Sequence, residues 1–185
     1  MLWPILPPLT HWPKTRLGME TNPIFPDLQQ LHQDIDAESA QLSSVHAQRL
    51  QCRRGCTMCC VDDITVFEIE ADNIRGHHQE LLQTAQPHPP GACAFLDDGA
   101  CRIYQHRPYV CRTQGLPLRW FETSPAGSTV EMRDICPLNE AGEPLESLDA
   151  DHCWTIGPTE SSLAQIQAAQ DGEPLRRVPL RDLFR

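Results

Sequence analysis

Cys52-Arg53-Arg54-Gly55-Cys56-Thr57-Met58-Cys59-Cys60 puts four cysteines into nine residues. Two or three residues between cysteines let a tight loop fold both thiolates onto one ion, which is why such pairs recur in zinc and iron–sulfur sites. Gly55 suits the sharp turn that this demands. Arg53 and Arg54 place positive charge beside the thiols and are expected to lower their pKa. Neighbouring residues of an extended segment point to opposite sides. Cys59 and Cys60 are therefore expected to serve different ions, or one ligates while the other packs.

Working outward, Cys93, Cys101 and Cys111 form a second group in a turn-rich stretch. Asp98-Gly99 is a hairpin turn signal that would bring Cys93 and Cys101 together. Cys136 and Cys153 follow, and all nine cysteines are metal-ligand candidates.

Three stretches together resemble the bacterial cysteine-cluster family, described as a zinc- or iron-chelating domain with a CxxCxxCC motif. They are the Cys52–Cys60 run, Cys93-Ala94-Phe95-Leu96, and the Cys-x-Ile-Tyr-x-x-Arg-Pro-x-x-Cys-Arg pattern from Cys101 to Arg112. Cys153-Trp154-Thr155-Ile156-Gly157 resembles the segment that closes the family's motif, so the resemblance covers about residues 50–158. It implies eight ligands: Cys52, Cys56, Cys59, Cys60, Cys93, Cys101, Cys111 and Cys153. Two departures stand out. The first gap holds three residues where the family has two, and Cys136 is a ninth cysteine. Family members are often labelled iron–sulfur oxidoreductases, so the resemblance implies zinc, iron or an iron–sulfur cluster, with no reaction attached.

Other chemistry is weaker. Cys52, Cys56 and Cys59 match the spacing of radical-SAM enzymes, but the chain after them is short, proline-rich and lacks the alternating strands and helices of a barrel. His77, His78, His88, His106 and His152 are possible zinc ligands; beside so many thiols they read as surface or helix-flank residues, His152 next to Cys153 excepted. Arg107 and Arg112 either hydrogen-bond ligating sulfurs or form ion pairs that fix the loop. Tyr104 reads as a core ring and Asp62-Asp63 as a solvated pair. No glycine-rich phosphate loop, nucleophile elbow or HExxH helix is present.

The 185 residues amount to one domain, or one domain with tails. Fifteen Lys and Arg against 25 Asp and Glu give a net charge of -10, which disfavours a nucleic-acid or anionic-membrane partner. No stretch approaches the ~20 apolar residues of a membrane span. The apolar Met1–Leu9 stretch has no basic flank and is broken by prolines, so no export signal is expected; Met19 is an alternative start. A cytoplasmic, reducing compartment follows, in which the cysteines are thiols or ligands rather than disulfides.

Residues 1–26 read as a proline-rich extension, 27–171 as a helix-flanked cysteine-cluster metal-binding domain, and 172–185, with four arginines, as a basic tail. Leu28, Leu31, Ile35, Leu42 and Val45 make an apolar stripe on a helix over 27–50, with Asp27 as its cap. Thr65 and Glu68 suggest a capping box for a helix over 66–83. Residues 116–123 and 129–135 suggest a hairpin, and Thr159 to Asp171 a last helix stopped by Gly172.

The expected fold is α+β, mainly α and irregular: a small cysteine-rich domain organised around one or two metal centres, with a short hairpin. The expected function is chelation of zinc or iron, including iron–sulfur, in a structural, metal-handling or redox role. The alternatives are an iron–sulfur oxidoreductase with an open cluster position, or a metal-free thiol redox switch.

Overall fold

The computed structural model describes residues 25–185. Most of the proline-rich extension, and the alternative start at Met19, lie outside the described residues. The chain is a mixed α+β fold of five helices and seven short strands within that span.

Helix α1 spans Pro26–Val45. It starts one residue before the expected cap, with Phe25 at N-cap and Pro26 in the first turn, where its missing N–H has no intrahelical partner to lose. The stripe is real for Leu28, Ile35 and Leu42, which are buried, whereas Val45 is 55% exposed. Beyond Val45 the chain continues in turns rather than helix, His46 Nε2 meeting the His152 carbonyl at 2.7 Å.

The expected helix over 66–83 is three elements instead. Thr65–Phe67 is a strand, β1; Glu68–His77 is α2; Gln79–Thr84 is α3. The capping box does not form, because Thr65 is pulled into antiparallel pairing with a strand more than 100 residues later. Gly76, His77 and His78 are weak helix formers and coincide with the break between α2 and α3. The N-terminus of α2 finds its cap elsewhere: the buried Gln167 side chain accepts from the Ile69 N–H at 3.2 Å.

Asp98 and Gly99 both have positive φ, at 44° and 68°, and join the short strands β2 (Leu96–Asp97) and β3 (Ala100–Cys101). A one-turn helix, α4 (Tyr109–Arg112), follows. The longer hairpin comprises β4 (Leu118–Thr123) and β5 (Thr129–Asp134), and β6 (Trp154–Thr155) adds in parallel to the other edge of β4. Helix α5 runs Ile156–Asp171, three residues earlier than expected, since Pro158 falls in its first turn; Gly172 ends it at φ 77°. The arginine-rich end is built into the fold: β7 (Arg177–Pro179) pairs with β1, and Leu180 and Leu183 are buried.

Side chains alternate along β1, so Phe67 enters one core and Val66 another. The first core joins Leu28, Ile35 and Leu42 of α1 to Trp154 and to Leu163 of α5. The second joins Ile74 of α2 to Phe95, Ile103, Leu180, Leu183 and the buried Cys93. No helix among the described residues is long and apolar enough to cross a membrane.

Candidate metal centre

Two turns shape the Cys52–Cys60 loop. The Cys56 N–H donates to the Arg53 carbonyl at 2.9 Å, with Gly55 at φ 90°, a turn that needs a positive φ at its third residue. The Cys60 N–H donates to the Thr57 carbonyl at 2.9 Å. Backbone then ties this loop to the second cysteine group, the Cys93 N–H donating to the Cys60 carbonyl at 2.9 Å. Gly99, at the tip of the β2–β3 turn, sits so close that a Cβ there would lie 3.6 Å from the Gly55 Cα.

Cys52 has its own seat. Asn139 is fully buried; its side-chain oxygen accepts from the Gln51 N–H at 2.8 Å, and its amide group donates to the Gly115 carbonyl at 2.8 Å and faces the Cys52 sulfur at 3.5 Å. Gly115, at φ 95°, is the other side of this seat: a Cβ on it would overlap the Cys52 sulfur.

Cys111 is placed by a buried polar chain. Glu70 of α2 is only 3% exposed and accepts from the Tyr109 N–H, the first amide of α4, at 2.6 Å. His32 Nε2 lies 3.3 Å from the same carboxylate oxygen, and Arg112 reaches His32 Nδ1 at 3.3 Å and Asp36 at 2.6 Å. A carboxylate on one ring nitrogen and a guanidinium on the other fix one tautomer, with Nε2 protonated and Nδ1 accepting. Arg107 also pairs with Asp36, at 3.4 Å. Of the two roles open to these arginines, the observed one is the ion pair that fixes the loop. Arg181 braces the outer rim, bonding Asp62 and the carbonyls of His88 and Ala92; Asp62 also accepts from the Gly91 N–H, so it is anchored rather than solvated.

The outcome is one cavity of about 500 Å³ lined by Cys52, Cys56, Cys59, Cys60, Cys93, Cys101 and Cys111. Arg53, Arg54, Arg107 and Tyr104 line it too, and among the described residues no carboxylate or imidazole does. Tyr104 is not a core ring; it is 58% exposed, with the Arg107 guanidinium 4.3 Å over its face. Cys136 and Cys153 do not line the cavity. Cys153 is buried beside Trp154, and the Cys136 carbonyl accepts from the Asn139 N–H at 2.7 Å.

Burial pushes the Cys93, Cys101 and Cys111 thiols up from their ordinary values. Cys59 goes the other way, to about 6, because it accepts a hydrogen bond from the Cys60 thiol, which is raised in turn. The lowering at Cys59 comes from its neighbour's thiol, and Arg53 and Arg54, expected to cause it, are not among its causes. The donor set fits a soft metal: thiolates select zinc and iron–sulfur centres, and Arg53, Arg54 and the Asp36-paired Arg107 bring positive charge to the same wall. Sequence reading did not find Glu70, Asn139 or Gly115, whose roles depend on partners tens of residues away. The only trio of metal-ligand atoms mutually within 4.8 Å among the described residues is Asp149, Asp151 and His152, which places the exceptional histidine with two exposed acids rather than with Cys153.

No curated protein and no solved structure matches this chain. A family model does, over residues 51–137, and its description is "CxxCxxCC: Putative zinc- or iron-chelating domain". The match takes in the seven cavity cysteines and Cys136 and stops short of Cys153. Residues 51–137 thus match the model of the CxxCxxCC family, whose description is of a zinc- or iron-chelating domain.

Proposed function

We propose that the protein binds zinc or iron through the thiolates of this one cavity, and that the centre holds more than one metal atom. The observation that carries this is the convergence of seven thiols, from three separate stretches of chain, on a wall to which no described residue adds a carboxylate or an imidazole. One tetrahedral ion uses four ligands, with sulfurs about 3.8 Å apart at a metal–sulfur length of about 2.3 Å. Seven thiols exceed that need. Among the described residues no three sulfurs gather within 4.8 Å of one another, a spread that suits an iron–sulfur cluster, whose cysteine sulfurs sit on separate irons, better than zinc, each ion of which would draw four sulfurs together. Bound, the metal would supply charge to lock the loops or a site for one electron.

The chain's own residues do the rest. Cys59 offers a thiolate near neutral pH, Arg53, Arg54 and Arg107 balance negative charge, and Asn139 directs its amide group at the Cys52 sulfur. Closed all-thiolate coordination favours a structural or electron-carrying role, while spare thiols favour metal handling by ligand exchange. The low value at Cys59, with a second thiol against it, supports a second reading: a thiol switch that works without metal.

The test is anaerobic purification, a visible spectrum, and assay of zinc, iron and acid-labile sulfide on one sample. A brown protein with matched iron and sulfide establishes a cluster. A colourless protein with two zinc ions establishes a zinc centre, and a single zinc refutes the polynuclear form. Neither metal, with nine thiols that oxidise reversibly, overturns the proposal in favour of the switch.

A further inference from the structure

The thiol cavity leaves the histidines unused, yet the fold gathers three of them. His77 ends α2, His78 joins α2 to α3, and His106 closes the turn Tyr104–His106 that follows β3. His78 Nε2 lies 2.9 Å from His106 Nδ1. The His77 ring stacks on that of His106, 3.9 Å between centroids at 27°. His77 Nδ1 lies 2.9 Å from the Asn73 carbonyl, and because a carbonyl only accepts, that nitrogen carries the proton and the His77 ring is held in place.

Two imidazole nitrogens that face each other need something between them, a proton or a cation. Two such nitrogens on one tetrahedral zinc, each at about 2.0–2.1 Å, stand about 3.3–3.4 Å apart, so a small opening of the 2.9 Å hydrogen-bonded pair, with loss of the shared proton, admits the ion. The rings are half-buried, and burial, with repulsion from His77, lowers the pKa of both His78 and His106 and so favours the neutral form that ligates. Arg112, a cation close enough to act on His106, is paired with Asp36.

We propose that His78 Nε2 and His106 Nδ1 are the protein ligands of a second metal site, distinct from the thiol cavity, which takes a borderline divalent ion such as Zn²⁺ and leaves its remaining positions to water. His77 is a positioning residue that orients the His106 ring by stacking. The turn that carries His106 also carries Tyr104, and Tyr104 and Arg107 line the thiol cavity, so the two sites share a wall. A water-completed imidazole pair exchanges its ion more readily than a thiolate set, which fits a waiting position beside a retaining one. The metal chemistry of the pair stands on its own geometry; only this division of labour rests on the function proposed above.

The test titrates Co²⁺ anaerobically into the full chain. Cobalt on thiolates gives strong sulfur-to-cobalt charge-transfer absorbance; cobalt on imidazole gives only weak ligand-field bands. Equilibrium dialysis should show one further equivalent after charge transfer has saturated. His78→Gln/His106→Gln should lose that equivalent and keep the charge-transfer bands. Equal stoichiometry in the variant and the parent overturns the proposal. So does an NMR titration of the unmodified chain with Zn²⁺ in which the ring nitrogens of His78 and His106 shift no more than those of His88, a control that needs no folded variant. If the thiol cavity takes no metal, charge transfer is absent throughout and the imidazole equivalent is still expected, so the two proposals fail separately.

Discussion

The two cores on either side of α2 are held by different means. The first, around Trp154 and Leu163, contains no cysteine and is faced by the two long helices, α1 and α5. The second is closed by two- and three-residue strands and by single turns, and Cys93, Cys60 and Cys101 are part of it. The same thiols line the cavity. One core is therefore an ordinary sum of apolar burial, about 1.5–3 kcal/mol for each large side chain. The other rests on α2 and α3 but is closed by short strands and turns, and it shares its wall with the thiol cavity. The difference teaches that metal content should govern one half of the molecule far more than the other.

Stripping the metal is the strongest way to break that comparison. Binding energy at a thiolate site is folding energy for the loops that supply it. Dialysis against a chelator should remove amide exchange protection from the 52–64 and 91–104 stretches, while α1 and α5 keep theirs. Cys101→Ser should reproduce the pattern and lower metal content and solubility together. Uniform loss of protection across all helices would show that the first core does not stand alone.

Trp154→Ala attacks the other side. The ring is almost fully buried, and its Nε1–H donates to the Tyr109 hydroxyl at 3.2 Å. Truncation should cost about 3–5 kcal/mol in urea unfolding. The loss should be the same with and without chelator, because no atom of this ring lines the cavity. A loss that shrinks when metal is removed would mean that the two cores act as one unit.

How far these features could be read in advance follows from the range of the contacts. The β2–β3 hairpin was legible because Asp98-Gly99 carries its own turn chemistry, and α1 because Leu28, Ile35 and Leu42 repeat within one helix. The strand at Thr65–Phe67 was not, since its partner, Arg177–Pro179, is remote and local residues offered a competing helix cap. At the site, cysteine spacing announced the thiols but not their grouping. Which seven share a cavity is decided by long-range polar contacts such as Glu70 to Tyr109 and Asn139 to Cys52. Neither has a sequence pattern.

Gly115→Ala tests one of those contacts with less force. The position combines φ 95° with a Cβ that would overlap the Cys52 sulfur. The left-handed backbone alone should cost roughly 1–2 kcal/mol. The displaced sulfur should also lower the affinity for metal, read as faster release to a chromogenic chelator. Unchanged release with lowered stability would remove Cys52 from the ligand set and leave the other six thiols as the candidates.

The smallest effects belong to the two cysteines off the cavity, and they sharpen the boundary of the site. Cys153 is 4% exposed, so Cys153→Ser buries a hydroxyl where a thiol packed, at a cost of about 1–3 kcal/mol if no partner is found. Cys136 is half-buried, and it is its backbone carbonyl, not its thiol, that meets Asn139, so Cys136→Ser should stay within about 0.5 kcal/mol. Both variants should keep full metal content and the parent visible spectrum. A drop in metal for Cys153→Ser alone would bring back the eight-cysteine ligand set that the family resemblance implies. It would also require the segment ahead of β6 to swing toward the cavity, a movement that a change in tryptophan fluorescence on metal loading would detect through Trp154.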